Sequence, residues 1–297
     1  MGEAAVGPGG GAVLRLRDRV FGDEPLVMAI VNRTPDSFYD RGATFAREKA
    51  LQRVDEVVAE GADIVDIGGV KAAPGTEVDV AEEIERTAPF VAEVRERHPD
   101  LIISVDTWRH EVGREVCQAG ADLLNDAWGG ADPKLAEVAA EYGVGLVCTH
   151  AGGLRPRTRP HRVAYRDVVA DVIERTTALA RRAVEVGVDP QRVLIDPGHD
   201  FAKNTWHSLE VTRRLHELVA TGWPVLVSLS NKDFVGESLG LPVEERMYGT
   251  LAVSALCAWQ GARVFRAHNV KPTRQVVDMV AVTRGVRPPV RAVRGMA

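Results

Sequence analysis

Eight short apolar runs in this chain each lead to a polar group that can do chemistry. MAIVN stops at Asn32, ADIVDIGG carries Asp66, and LIISVD stops at Asp106. ADLLND closes on Asn125 and Asp126, GVGLVCTH on His150, and RVLIDPGHD turns at Asp196. WPVLVSLSNK reaches Ser230 and Lys232, and ARVFRAH ends with Arg266 and His268. Carboxylates, amides and cationic side chains of this kind bind and orient a polar ligand through charge-assisted hydrogen bonds. Singly, each has a plainer role. Asp106 before Thr107 reads as a helix N-cap, and Asn125 and Asp196 as loop formers. Lys232 reads as a solvated lysine and His150 as a satisfied loop histidine. Together, at successive strand ends, they describe one site.

The elements that must position them repeat. Strands are predicted near 26–31, 63–67, 101–105, 122–125, 144–149, 193–196, 225–229 and 263–267. Helices are predicted near 46–60, 79–97, 109–119, 133–141, 163–187, 204–220, 243–260 and 271–283. The first of these strands, LVMAIV, is apolar on both faces, as a buried parallel strand is. Gly61, Gly120, Gly143, Gly187, Gly222 and Gly261 each stand just ahead of a strand, where a left-handed cap ends a helix. This pattern predicts an α/β fold, a single (β/α)8 TIM barrel over 12–285. A short N-terminal hairpin, from 13–18 and the segment near Pro25, is expected to close its floor. The Gly-rich residues 1–11 are expected to be disordered and 286–297 to form an irregular tail. A doubly wound sheet is the alternative, but no GxGxxG follows the first strand.

Composition narrows the function. The chain has 297 residues and a formal net charge of −5, so no overall basic footprint points to nucleic acid. No apolar run approaches transmembrane length and no signal peptide is visible. Cys117, Cys148 and Cys257 are far apart, which fits buried thiols in a reducing cytoplasm.

NRTPDSFYDRG, ISVDT, LLNDAWGG, LIDPGHDFAK, SLSNKDFVG and FRAHNV follow one another at family spacing. With these six motifs the chain resembles dihydropteroate synthase, a barrel enzyme of folate biosynthesis. That family joins 6-hydroxymethyl-7,8-dihydropterin diphosphate to p-aminobenzoate and releases pyrophosphate. The resemblance implies that Asp106, Asn125 and Asp196 bind the pterin edge and that Lys232 contacts its carbonyl side, with Phe201 packing on the rings. It implies that Arg266 and His268 bind the diphosphate and, with Lys232, carry catalysis. Asn32 would help to hold Mg²⁺. Family members are usually homodimers.

The chain departs from the family around the acceptor. The family usually reads DIGGESTRPG in the second βα loop; here it is DIGGVKAAPG. The substrate-contacting Thr and Arg have become Ala72 and Ala73, and an alanine cannot replace a bidentate anion donor. Lys71 and Ser230 remain as acceptor-side groups. Asn231, Asn269, Arg33, Tyr39 and Arg41 also differ from the usual residues. The pattern resembles the diverged actinobacterial second-paralogue group. Two readings follow: a transferase with weakened or altered acceptor use, and an inactive pterin-binding paralogue with a regulatory or scaffold role. A methyltransferase acting on methyl-tetrahydrofolate has no need of a diphosphate clamp, and nothing singles out a glycosidase carboxylate pair. After the fifth strand, GGLRPRTRPHR is either a solvated loop or a source of anion donors that stand in for the absent arginine of the second loop.

Overall fold

The first strands pair because their alternate residues are apolar and have one place to go. In the computed structural model, which describes residues 13–33 and 47–295, β1 (Leu14–Leu16) and β2 (Arg19–Phe21) form an antiparallel hairpin. Both strands lie before Pro25, so the hairpin is tighter than expected. The expectations for residues 1–11, Tyr39 and Arg41 fall outside the described residues. Then come β3 (Leu26–Asn32), α1 (Arg47–Ala59), β4 (Ile64–Gly68), α2 (Val80–Arg97), β5 (Ile102–Asp106) and α3 (His110–Gln118). These lead to β6 (Leu123–Asp126), α4 (Lys134–Tyr142), β7 (Gly145–Thr149), α5 (Val168–Glu185) and β8 (Val193–Asp196). The chain continues through α6 (Thr205–Arg213), α7 (Leu215–Val219), β9 (Leu226–Ser228) and α8 (Asp233–Leu239). It ends with α9 (Met247–Gln260), β10 (Val264–Ala267) and α10 (Val270–Thr283).

Eight strands, β3 to β10, pair in parallel in the order β8-β7-β6-β5-β4-β3-β10-β9. A parallel bridge between Ile195 and Val225 closes β8 onto β9. This is the (β/α)8 barrel. The six strand-leading glycines all have positive φ, from 64° to 110°. Two helical details differ from expectation. The 204–220 helix breaks at Arg214 into α6 and α7, and the short α8 follows directly on Lys232.

Side-chain parity separates two cores. Met28, Ile64, Ile102, Leu123, Val147, Leu194, Leu226 and Val264 fill the barrel interior, joined by Leu14, Leu16 and Phe21 of the hairpin. The opposite faces of the same strands, such as Val27, Val65, Ile103 and Leu124, pack on the helices. Each fully buried apolar side chain of this size contributes roughly 1.5–3 kcal/mol over leaving it in water. The hairpin seals the floor tightly: a Cβ on Gly145 would stand 2.9 Å from Leu16 and 2.8 Å from Leu123. Among the described residues, no helix is long and apolar enough to cross a membrane.

Candidate functional site

Parity also builds the site. Side chains two residues apart on a strand share a face. Two residues beyond the apolar interior layer therefore stand Asp66, Ser104, Asn125, Thr149, Asp196 and Arg266. Two beyond Asp66, Ser104 and Arg266 lie Gly68, Asp106 and His268, and Asn32 pairs with Gly68 in the register of β3 and β4. The barrel lining thus passes from apolar to polar toward the C-terminal ends of its strands, where this fold holds its active sites.

Asp66 is the hub. It is fully buried and accepts Ser104 Oγ at 2.6 Å, Asn125 Nδ2 at 3.2 Å and Arg266 Nε at 2.6 Å. The other arm of Arg266 reaches Asp106 Oδ2 at 3.0 Å. Asp106 does not cap α3, whose N-cap is Arg109. Burial pushes its carboxyl up to about 7, against the pull of Arg266 and with the push of Asp66. Asp196 is buried as well; its carboxyl is raised by burial, and Oδ1 accepts Gly198 N at 2.7 Å. Asp126, on the helix side of β6, is a loop former: it accepts Trp128 N at 2.9 Å and Gly130 N at 2.7 Å.

Lys232 is drawn inward. Its ammonium donates to the His199 carbonyl and lies 5.0 Å from the centroid of the Phe201 ring. Burial lowers its pKa, while Asp200 and then Asp196 raise it. Asp200 holds a left-handed conformation (φ 66°) and accepts Ser208 Oγ at 3.0 Å and Phe234 N at 3.3 Å. Beneath this loop, Lys203 Nζ meets His150 Nδ1 at 2.6 Å and the carbonyls of Gly198 and Phe201 at 3.1 and 3.2 Å. Burial drives Lys203 down to about 7 and His150 down to about 4, even though His150 Nε2 lies 2.7 Å from Asp171. His150 is therefore a support for the Asp196–Phe201 loop.

Aromatic side chains line one side. Trp128 is buried, with Phe201 edge-on at 5.0 Å and Trp108 edge-on at 6.5 Å between centroids. The Arg109 guanidinium lies 4.8 Å from the Trp108 ring centroid. Ser230 Oγ accepts His268 N at 3.1 Å, so it braces the last strand end. Arg33 lies over Phe90 at 4.9 Å, below the second loop. That loop, containing Lys71, is held from across the mouth by Arg157, which donates to the carbonyls of Lys71, Ala73 and Thr76 at 3.1, 3.3 and 2.8 Å.

The structure thus brings Asp106, Asn125, Asp196, Lys232, Phe201 and Arg266 to one end of one barrel. It adds Lys203 and Trp128, to which the sequence analysis gives no role, and makes Asp66 the centre of the cluster. Among these, Asp66 was visible as another inward position two residues past an apolar one. Trp128 and Lys203 had no such signal, because Trp108, Phe201 and His150, which they meet, lie in other loops.

Residues 28–268 match the family model described as pterin binding enzyme. An inactive dihydropteroate synthase 2 of Mycobacterium leprae is 61% identical, over 94% of this chain and 97% of its own length. A dihydropteroate synthase of Bacillus subtilis is 39% identical, over 87% of this chain and 88% of its own. The solved Yersinia pestis dihydropteroate synthase, in complex with a sulfonamide drug, superposes with a TM-score of 0.87 at 34% identity. That match covers 93% of this chain and all of the other (100%). The chain belongs to the pterin binding enzymes, within the dihydropteroate synthase family and its diverged second-paralogue group.

Proposed function

We propose that this chain is a pterin-binding paralogue of dihydropteroate synthase that has kept the pterin site and lost condensation with p-aminobenzoate. The observation that carries this reading is the contrast between the two sides of the mouth. On the pterin side, buried Asn125 and Asp196 converge with half-buried Asp106, Lys232 and Arg266 on hydrogen-bonded positions. Buried carboxylates suit the N–H-rich edge of a pterin, and Lys232 its carbonyl. On the acceptor side, Ala72 and Ala73 offer no donor from their side chains, and Ser230 is engaged with His268 N. The name of the Mycobacterium leprae relative supports the same reading.

The diphosphate groups remain. Arg266 and His268 would bind its oxygens, and their charge would stabilise pyrophosphate as it departs. Arg266 is held by Asp66 and Asp106, so a diphosphate must compete for it. Asn32 offers one amide oxygen at the polar end. This fits Mg²⁺ carried by the diphosphate, since that ion keeps several waters and few protein ligands. When bound, it would neutralise the leaving group. These retained groups favour a second reading, a transferase with an altered acceptor.

A homodimer is supported by α9. MYGTLAVSALCAWQ carries no charge, and Tyr248, Leu256 and Trp259 are 78%, 56% and 57% exposed, with Met279 of α10 at 63%. A helix apolar all round is normally covered on every side. The three buried free thiols support a cytoplasmic setting.

The test measures binding of the dihydropterin diphosphate and pyrophosphate release with Mg²⁺, with and without p-aminobenzoate. Binding without p-aminobenzoate-dependent release is expected. Release that requires p-aminobenzoate refutes the loss of condensation. Absence of pterin binding refutes the reading entirely.

A further inference from the structure

Most arginines of this chain with a fixed position face a carboxylate, as Arg109 faces Glu83, Arg214 faces Asp167 and Arg95 faces Asp122. The segment after β7 is different. Arg155, Arg157, Arg159 and Arg162 have no carboxylate partner among the described residues. The segment is nonetheless anchored. Arg157 takes a left-handed backbone (φ 63°) and reaches the second loop, 81 to 86 residues away in sequence. β4 and β7 stand three places apart around the barrel, with β5 and β6 between them. The segment therefore spans that side of the mouth, on the arc whose strand ends lead to Trp108 and Trp128.

The bonds of Arg157 are incomplete. Nε and Nη1 are spent on the three carbonyls, and no described residue accepts from Nη2. Nη2 lies 3.2 Å from where a Cβ on Gly75 would be. A guanidinium thus stands at Ala73 and Gly75, the stretch without side-chain donors of its own. Carbonyls hold it in place without cancelling its charge.

Resting on the pterin-binding reading above, we infer that Arg157 is the anion-recognition residue of a rebuilt acceptor side. The ligand class is a pterin extended by, or paired with, a flat aromatic acid. The Trp108–Trp128–Phe201 wall meets the ring, and Nη2 of Arg157 donates to the carboxylate. Arg155, Arg159 and Arg162 raise the local positive potential. A pure backbone clamp predicts the same three bonds but no preference for a charged ligand.

The probe pair is pteroate and its neutral carboxamide, titrated into the full chain by calorimetry, with 6-hydroxymethylpterin as the pterin-only reference. The ratio of the two affinities cancels the pterin half and reads the carboxylate alone. Wild type should prefer the acid by about tenfold or more, as hydrogen bonds to charged groups do. That preference should shrink at high salt, because the site is partly exposed. Arg157→Ala and Arg157→Gln should bring the ratio near one, and Arg157→Lys should keep part of it. Arg157→Gln and Arg157→Lys retain hydrogen-bonding capacity at the second loop if Arg157→Ala does not fold. Binding of both probes by wild type with a ratio near one overturns this inference alone. So does a preference that survives Arg157→Gln. Failure of 6-hydroxymethylpterin and both probes to bind overturns the pterin reading and this inference with it.

Discussion

Asp66→Asn tests whether the polar end of the barrel is one electrostatic unit. The wild-type carboxylate accepts three donors, from Ser104, Asn125 and Arg266, with no solvent exposure. An asparagine has one oxygen for them and places an N–H₂ against the remaining donors. Arg266, half-buried beside it, would keep only Asp106 at 3.0 Å. Removing one member of a buried ion pair costs about 3–5 kcal/mol, because the surviving charge is left without compensation. That is a large share of a total stability of roughly 5–15 kcal/mol. The melting temperature should fall by roughly 5–8 °C, with a matching loss in urea unfolding. Adding Arg266→Met to Asp66→Asn removes the stranded charge, so the double variant should be more stable than the two single losses combined. The two costs should differ from additivity by about 1 kcal/mol or more. A single-variant loss below about 1 kcal/mol, or strict additivity in the cycle, refutes the hub.

Asp106 should make pterin binding pH-dependent. With its carboxyl near 7, affinity should fall about tenfold per unit as pH drops below that value, because the protonated acid must release a proton to accept the pterin N–H; calorimetry in buffers of different ionisation enthalpy checks this. The stability sign is opposite. A raised carboxyl stabilises the fold fully below the unfolded value of about 3.9, and that contribution is lost as pH rises through 7. Lys203→Met strands the carbonyls of Gly198 and Phe201 and should cost about 1–3 kcal/mol in unfolding while weakening pterin affinity; unchanged values for both would remove its supporting role. Leu256→Glu should convert a dimer into a monomer with an unchanged circular dichroism spectrum, read by light scattering. A wild-type monomer refutes the interface.

The strand ends were legible because the signal is arithmetic: at a spacing of two, apolar interior residues give way to polar ones. Asn32, Asp106, Asn125, Asp196, Arg266 and His268 all follow from it. The six strand-leading glycines were legible for a steric reason, since a left-handed cap favours them. The hub role of Asp66 was not legible, because only the folded barrel brings Ser104, Asn125 and Arg266 to it. His150 and Lys203 are 53 residues apart and meet only when β7 and β8 are neighbours. The helix α8 is seven residues with a glycine at 236, too short to show a helical period. The role of Arg157 rests on a bond to a loop far away in sequence, which no local pattern encodes.

The ring of strands has a weak join. β8 and β9 meet through one bridge, at Ile195 and Val225, while β7 and β8 share four residue pairs. Asp196 ends the strand on one side of that join, and Lys232 follows the strand on the other. A pterin gripped by both would act as a staple across the seam. Its binding free energy would then add to the closure of the barrel itself. Amide exchange along β8 and β9 should slow on binding more than elsewhere. The protein would respond to pterin supply through its own lifetime in the cell, with no chemical turnover at all.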